Sequence, residues 1–186
     1  AGVHPADSNA ESALVNLSKM GIKGIKLHPD YQDAYFNDIR YKRIVARASE
    51  LGLITVVHAG VDAKCPHNVH CTPKMAAEVI DEVRPSRLVL AHMGGNRLWD
   101  EVEEYLVGKD VYFDTGIVLD RMPQEQFLRI VKNHGADRIL FATDSPWAGQ
   151  KEYVAIMRDM PLSEEEKEKI LGGNAQKLLQ LHGPML

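Results

Sequence analysis

Three residues, His58, His92 and Asp144, share one local setting: each closes a short apolar run. The runs are LITVVH over residues 53–58, RLVLAH over 87–92 and RILFATD over 138–144. Neutral imidazole nitrogens and an anionic carboxylate suit a divalent ion such as Zn²⁺, and the same groups can move protons. Each also has a plainer explanation. A buried histidine is often a hydrogen-bonded core residue, and Asp144 could cap the helix that follows it. A carboxylate ending a buried strand nevertheless needs a cation or several N–H partners, because burying it unpaired is costly. Three such ends in one chain favour a metal or acid/base site.

Two further apolar runs end in polar groups, IKGIKLH over 22–28 and VYFD over 111–114. Lys26 and His28 are two residues apart, so on a strand they share a side. Either could bind a substrate carboxylate; the alternative is a buried ion pair or hydrogen bond supporting the site. Asp114 reads as a supporting or capping group rather than a ligand. Trp147, just beyond Asp144, could form a pocket wall or pack on the next helix. Residues 59–71 form the longest loop and carry Cys65, His67, His70 and Cys71. That crowding fits ordinary zinc spacings poorly, and an active-site lid is the better reading. His134 and His182 fall at helix ends and read as surface residues.

These groups need elements to position them. All five runs have the length and β-branched content of buried strands, and each precedes a helix-like stretch. Residues 1–5 (AGVHP) read as the end of another strand, stopped by Pro5. Helices are predicted over 9–20 with Ser8 as cap, over 38–51 closed by Gly52, and over 72–83 with Thr72 and Pro73 at its start. Further helices run through Leu106, from near Pro123, and through Met160. Ser163 and Glu166 have capping-box spacing, and Gly172-Gly173-Asn174 is expected to separate that helix from a last one over 175–181. Strand starts recur at roughly 25–35 residues, the size of one βα unit. The reading is one α/β domain over 1–186, a (β/α)8 TIM-barrel type. Only about six of the eight βα units of such a barrel are accounted for, so roughly two are expected to be missing from the front.

The 186 residues are 45% hydrophobic, enough for a substantial core. A net charge of −4 argues against general nucleic-acid or anionic-membrane binding. No apolar run approaches the roughly 20 residues of a membrane span. No signal peptide is visible. Two cysteines cannot form a disulfide framework, which fits a reducing, cytoplasmic location. No dinucleotide or P-loop glycine fingerprint occurs.

The segments GIKLHP, VVHAG, LAHMGG, FATDSPW and ILGGNAQKLL, in that order, resemble the amidohydrolase superfamily. More narrowly they resemble its amidohydrolase-related group, which includes metal-dependent hydrolases and nonoxidative decarboxylases of the aminocarboxymuconate-semialdehyde type. The resemblance implies a (β/α)8 barrel and one divalent metal, Zn most readily. It makes His58 a metal ligand, His92 a ligand or an acid/base beside the metal, and Asp144 a ligand that accepts a proton from water. Some superfamily members carry a carbamylated lysine on the fourth strand, which makes Lys26 a candidate for that role. The family's His-x-His pair at the end of strand one has no counterpart here. A truncated chain is therefore expected, with an incomplete ligand set.

The leading expectation is a metal-dependent hydrolase of a small carboxylate-bearing amide, ester or lactone. Its near alternative is metal-dependent nonoxidative decarboxylation. A different class altogether is an inactive barrel fragment that self-associates into a homo-oligomer through open sheet edges.

Overall fold

The computed structural model describes residues 1–181. Five parallel strands form one sheet in chain order: β1 (Gly24–Leu27), β2 (Ile54–Val57), β3 (Leu88–Leu90), β4 (Tyr112–Asp114) and β5 (Ile139–Leu140). Gly2 adds a parallel bridge to Lys26 at the β1 edge, so the first residues do lie alongside the sheet. α1 (Ala10–Lys19) precedes β1; between the strands run α2 (Ile39–Glu50), α3 (Pro73–Val83), α4 (Trp99–Tyr105) and α5 (Gln124–His134); α6 (Gln150–Asp159), α7 (Glu164–Glu168) and α8 (Asn174–Leu179) follow β5. Sequential parallel strands joined by helices form the expected barrel-type sheet. Among the described residues no helix is long and apolar enough to cross a membrane.

Strand alternation divides the molecule into two apolar clusters. Ile25, Leu27, Val57, Leu88, Leu90, Phe113 and Ile139 join the main core with the helices. Ile54, Val89 and Leu140 form a smaller cluster with Leu178 of α8, joined by Val56 and Tyr112. Period two then carries Ile54 and Val56 on to His58, and Gly24 on to Lys26 and His28. The concave face thus delivers three polar groups to its C-terminal rim.

Local signals fixed three helix starts. Asp38 caps α2 by accepting from the Arg40 N–H, Thr72 caps α3 ahead of Pro73, and Ser163 and Glu166 form a reciprocal capping box. Ser8 does not cap α1; Asn9 takes that place without a side-chain bond, and its own N–H goes to Asp7 Oδ1. Gly172 and Gly173 do not break the C-terminal helix. A π-helical turn, Lys169–Gly173, carries α7 straight into α8. Asn174, fully buried, anchors that stretch by donating to the carbonyls of Ala136 and Ile139. His134 is buried rather than superficial: its Nδ1 accepts from the Gly108 N–H, its Nε2 donates to the Val111 carbonyl, and its ring stacks on Phe113. His182 lies outside the described residues.

Candidate active site

Beyond the C-terminal ends of β1, β2 and β3 the chain builds a cavity of about 480 Å³. His58, His92 and Asp144 all line it, as do Lys26, His28 and Trp147. Two loops hold the histidines side by side. Gly60 pairs with Asn96 as an isolated parallel bridge, Asn96 N–H donates to the Ala59 carbonyl, and the Asn96 amide donates to the Val61 carbonyl at 2.7 Å. A Cβ on Gly60 would stand 2.1 Å from the Asn96 nitrogen, so only glycine permits this approach.

His58 arrives by strand alternation, but His92 does not. Leu88 and Leu90 face the helices, and His92 would follow them if β3 continued. Instead β3 ends at Leu90, and positive φ at His92 and Met93 turns the backbone. Asp114 secures the turn by accepting the N–H groups of His92 and Gly116, while the indole of Trp99 donates to the His92 carbonyl.

The ring hydrogen bonds fix the protonation pattern. His92 Nδ1 lies 2.8 Å from the Gly116 carbonyl, which can only accept, so this nitrogen carries a proton. In a neutral ring His92 Nε2 is then an acceptor, and at 3.0 Å it receives the proton of His58 Nδ1. His58 Nε2 is left with a bare lone pair, buried and without a hydrogen-bond partner. Desolvation, reinforced by His92, His28 and Lys26, lowers the His58 pKa to about 2, which keeps that ring neutral. With both nitrogens engaged, His92 offers no lone pair to an ion in this arrangement, unlike His58.

His58 Nε2 lies 3.8 Å from Asp62 Oδ2 and 3.8 Å from Asp30 Oδ2. His28, His58 and Asp62 offer ligand atoms all within 4.8 Å of one another. The His28 and His58 rings are stacked, with centroids 4.2 Å apart and planes 7° from parallel. One ion cannot lie in both ring planes, so His58 is the ligand this geometry favours and His28 is its stacking support. Tyr31 continues the stack on the far side of His28. A free, buried imidazole lone pair facing carboxylates fits a divalent cation.

Asp144 lies four residues past the end of β5, exposed and with φ at +56°. A Cβ on Gly116 would sit 3.2 Å from Asp144 Cβ and 3.5 Å from His92 Nδ1, so Gly116 is the point where the two approach. Lys26 is open to solvent on the cavity wall. Crowding by protein lowers its pKa, while Asp114 and Asp144 pull it back up. Trp147, 71% exposed, stands on the rim. The crowded loop disperses its ligand types. Cys71 is fully buried, with burial raising its thiol pKa, whereas the His70 ring turns to Asp30 at 3.0 Å. Asp30, Asp62 and the Gly116 carbonyl were not singled out from the sequence. The only cue was their spacing, two and four residues beyond His28 and His58 for the aspartates.

No curated protein matches the chain in sequence at a significant level. Solved structures do match in fold. An uncharacterised TIM-barrel protein from Bordetella bronchiseptica superposes with a TM-score of 0.78 at 21% identity, over 96% of this chain and 65% of that one. A dihydroxybenzoic acid decarboxylase from Polaromonas, solved with bound manganese and the inhibitor 2-nitroresorcinol, gives 0.70 at 17% identity, over 96% and 66%. A probable 2-pyrone-4,6-dicarboxylic acid hydrolase from Acinetobacter baumannii, with citric acid bound, gives 0.70 at 17%, over 97% and 72%. The chain thus spans about two thirds of the length of these structures. The family model described as amidohydrolase matches residues 2–181, nearly the whole chain. With the parallel βα order and the histidine-lined rim, that match places the chain in the amidohydrolase family.

Proposed function

We propose that the protein is a metal-dependent hydrolase of a small carboxylate-bearing amide, ester or lactone. One observation carries the reading: the His58 Nε2 lone pair is buried, unpartnered and turned to the cavity that Asp144 also lines. His58 and Asp144 would hold a divalent ion, for which Zn²⁺ is suited. The manganese of the Polaromonas enzyme supports a divalent ion on this scaffold. When bound, the ion supplies Lewis acidity to a substrate oxygen and to water.

The chain's own groups do the rest. Asp144 takes a proton from the attacking water and delivers it to the leaving nitrogen or oxygen. His92 keeps His58 in the Nδ1–H form. Lys26 on the cavity wall receives the substrate carboxylate, His28 stiffens the His58 ring by stacking, and Trp147 covers the apolar part of the substrate from the rim.

Nonoxidative decarboxylation is the second reading, favoured by cationic Lys26, Arg97 and Arg121 on one cavity and by the decarboxylase among the structural neighbours. A panel of carboxylate-bearing lactones, esters and amides, incubated with metal-loaded and chelator-stripped protein, separates the two. Metal-dependent hydrolysis lost in Asp144→Asn supports the proposal. Release of CO₂ from carboxylic acids without any hydrolysis replaces it with the second reading. Neither product across the panel counts against both.

A further inference from the structure

We infer that the cavity takes a substrate with two carboxylates, the second held by Arg97 and Arg121. The inference rests on the hydrolase reading above, which supplies the first carboxylate and its seat on Lys26.

Charge is spread unevenly over the molecule. The chain has 26 acidic side chains against 22 of Lys and Arg, a net charge of −4. The cavity reverses that balance: Lys26, Lys64, Arg97 and Arg121 line it against two carboxylates, Asp62 and Asp144. His58 on the same wall stays neutral. A cleft with an excess of one sign gathers and orients ions of the other. One substrate carboxylate would neutralise only half of the excess of two positive charges.

The lysines are already engaged. Lys64 Nζ lies over the Tyr31 ring, 5.8 Å from its centroid, and Lys26 feels the charges of Asp114 and Asp144. The arginines are freer. Arg97 has no ion-pair partner among the described residues. Arg121 Nε reaches only Asp120 Oδ1, at 3.9 Å, and that oxygen already accepts the Tyr153 hydroxyl.

Both arginines stand on anchored backbone. Arg97, with φ at +62°, follows Asn96, whose bonds to Ala59 and Val61 join the loop after β3 to the loop after β2. Arg121 lies in the loop after β4, its N–H donating to the Val118 carbonyl at 2.9 Å, and Tyr153 of α6 ties down the preceding Asp120. β3 and β4 are neighbours in the sheet, so these two loops adjoin, whereas Lys26 lies on β1, two strands from β3. A carboxylate seated on Lys26 therefore leaves both guanidinium groups for a second one. Their planar N–H forks match its two oxygens.

Calorimetry on the metal-free chain at low salt, with glutarate and with butyrate, tests the seat without turnover. Butyrate lacks only the second carboxylate. Glutarate should bind about tenfold more tightly, and the advantage should shrink as salt rises, because both arginines are exposed at the rim. In Arg97→Gln and in Arg121→Gln the ratio of the two affinities should fall towards one. Exposed side chains make loss of fold an unexpected result, and thermal melts of both variants check it. Equal affinities in the wild type, binding of neither acid, or a glutarate advantage intact in both variants overturns the second seat. None of these results touches the hydrolase reading, which metal-dependent turnover of monocarboxylate lactones, esters and amides judges separately.

Discussion

His92 Nε2 lies 3.0 Å from His58 Nδ1, and the far side of the His92 ring lies 2.8 Å from the Gly116 carbonyl. This line of hydrogen bonds begins at a group that can only accept and ends at a nitrogen that can only present a lone pair. The backbone of the loop after β4 thereby determines the form in which a histidine after β2 meets the cavity.

His92→Ala removes the acceptor for the His58 Nδ1 proton without touching the cavity-facing nitrogen. Outer partners of this kind hold ligand tautomers, and their loss lowers metal affinity about 10–100-fold. Calorimetry with Zn²⁺ on the folded variant measures this. Unchanged affinity would mean that His92 does not govern His58.

Gly60→Ala strikes the seam between the two histidine loops. Its φ is +84° and the new Cβ would meet the Asn96 backbone at 2.1 Å, so relaxation must part the loops. A loss of about 2–4 kcal/mol in denaturant unfolding is expected. Gly52→Ala has a similar positive φ but nothing near its Cβ, and should cost less. Equal losses would reduce the Gly60 effect to backbone strain alone.

Asp114→Ala leaves the N–H groups of His92 and Gly116 without their acceptor. The expected cost is about 1–3 kcal/mol, since unpaired buried donors bear their desolvation penalty in full. Urea unfolding provides the value. Stability within error of wild type would show that water replaces the carboxylate freely.

Stability should fall in mild acid. Desolvation lowers the pKa of His134 and of His58 below the ordinary value of 6.5, so the unfolded chain binds more protons than the folded one below that pH. The stability these groups contribute is complete above about pH 6.5 and is lost as the pH falls, by at most about 1.4 kcal/mol per unit for each. His134→Gln keeps an amide donor and acceptor in place and removes one titrating group. Its unfolding free energy should therefore drop less between pH 7 and pH 5 than that of the wild type. An identical pH dependence would remove His134 from the account.

Much of this arrangement was legible in the residues. Apolar runs ending in His58, His92 and Asp144 announced parallel strands, and Asp38, Thr72-Pro73 and Ser163 with Glu166 marked helix starts through chemistry confined to one turn. What could not be read depended on distant partners. Gly172-Gly173 reads as a break because glycine weakens helices, yet the Asn174 amide ties that stretch to Ala136 and Ile139. His134 looks superficial until Gly108, Val111 and Phe113 fold around it. His92 reaches the cavity by a left-handed turn that strand alternation does not foresee. Asp30 and Asp62 sit in loops whose closure is set by His70, Lys64 and Tyr31, contacts no periodicity encodes.

The form of the His58 ring is the most direct test. Long-range ¹H–¹⁵N spectra of the histidine rings, assigned with His58→Gln, report which nitrogen carries the proton. The structure predicts a proton on Nδ1 and a bare Nε2 that shifts when Zn²⁺ is added. A protonated Nε2, or an Nε2 signal indifferent to the metal, would contradict the site on which the proposed chemistry depends.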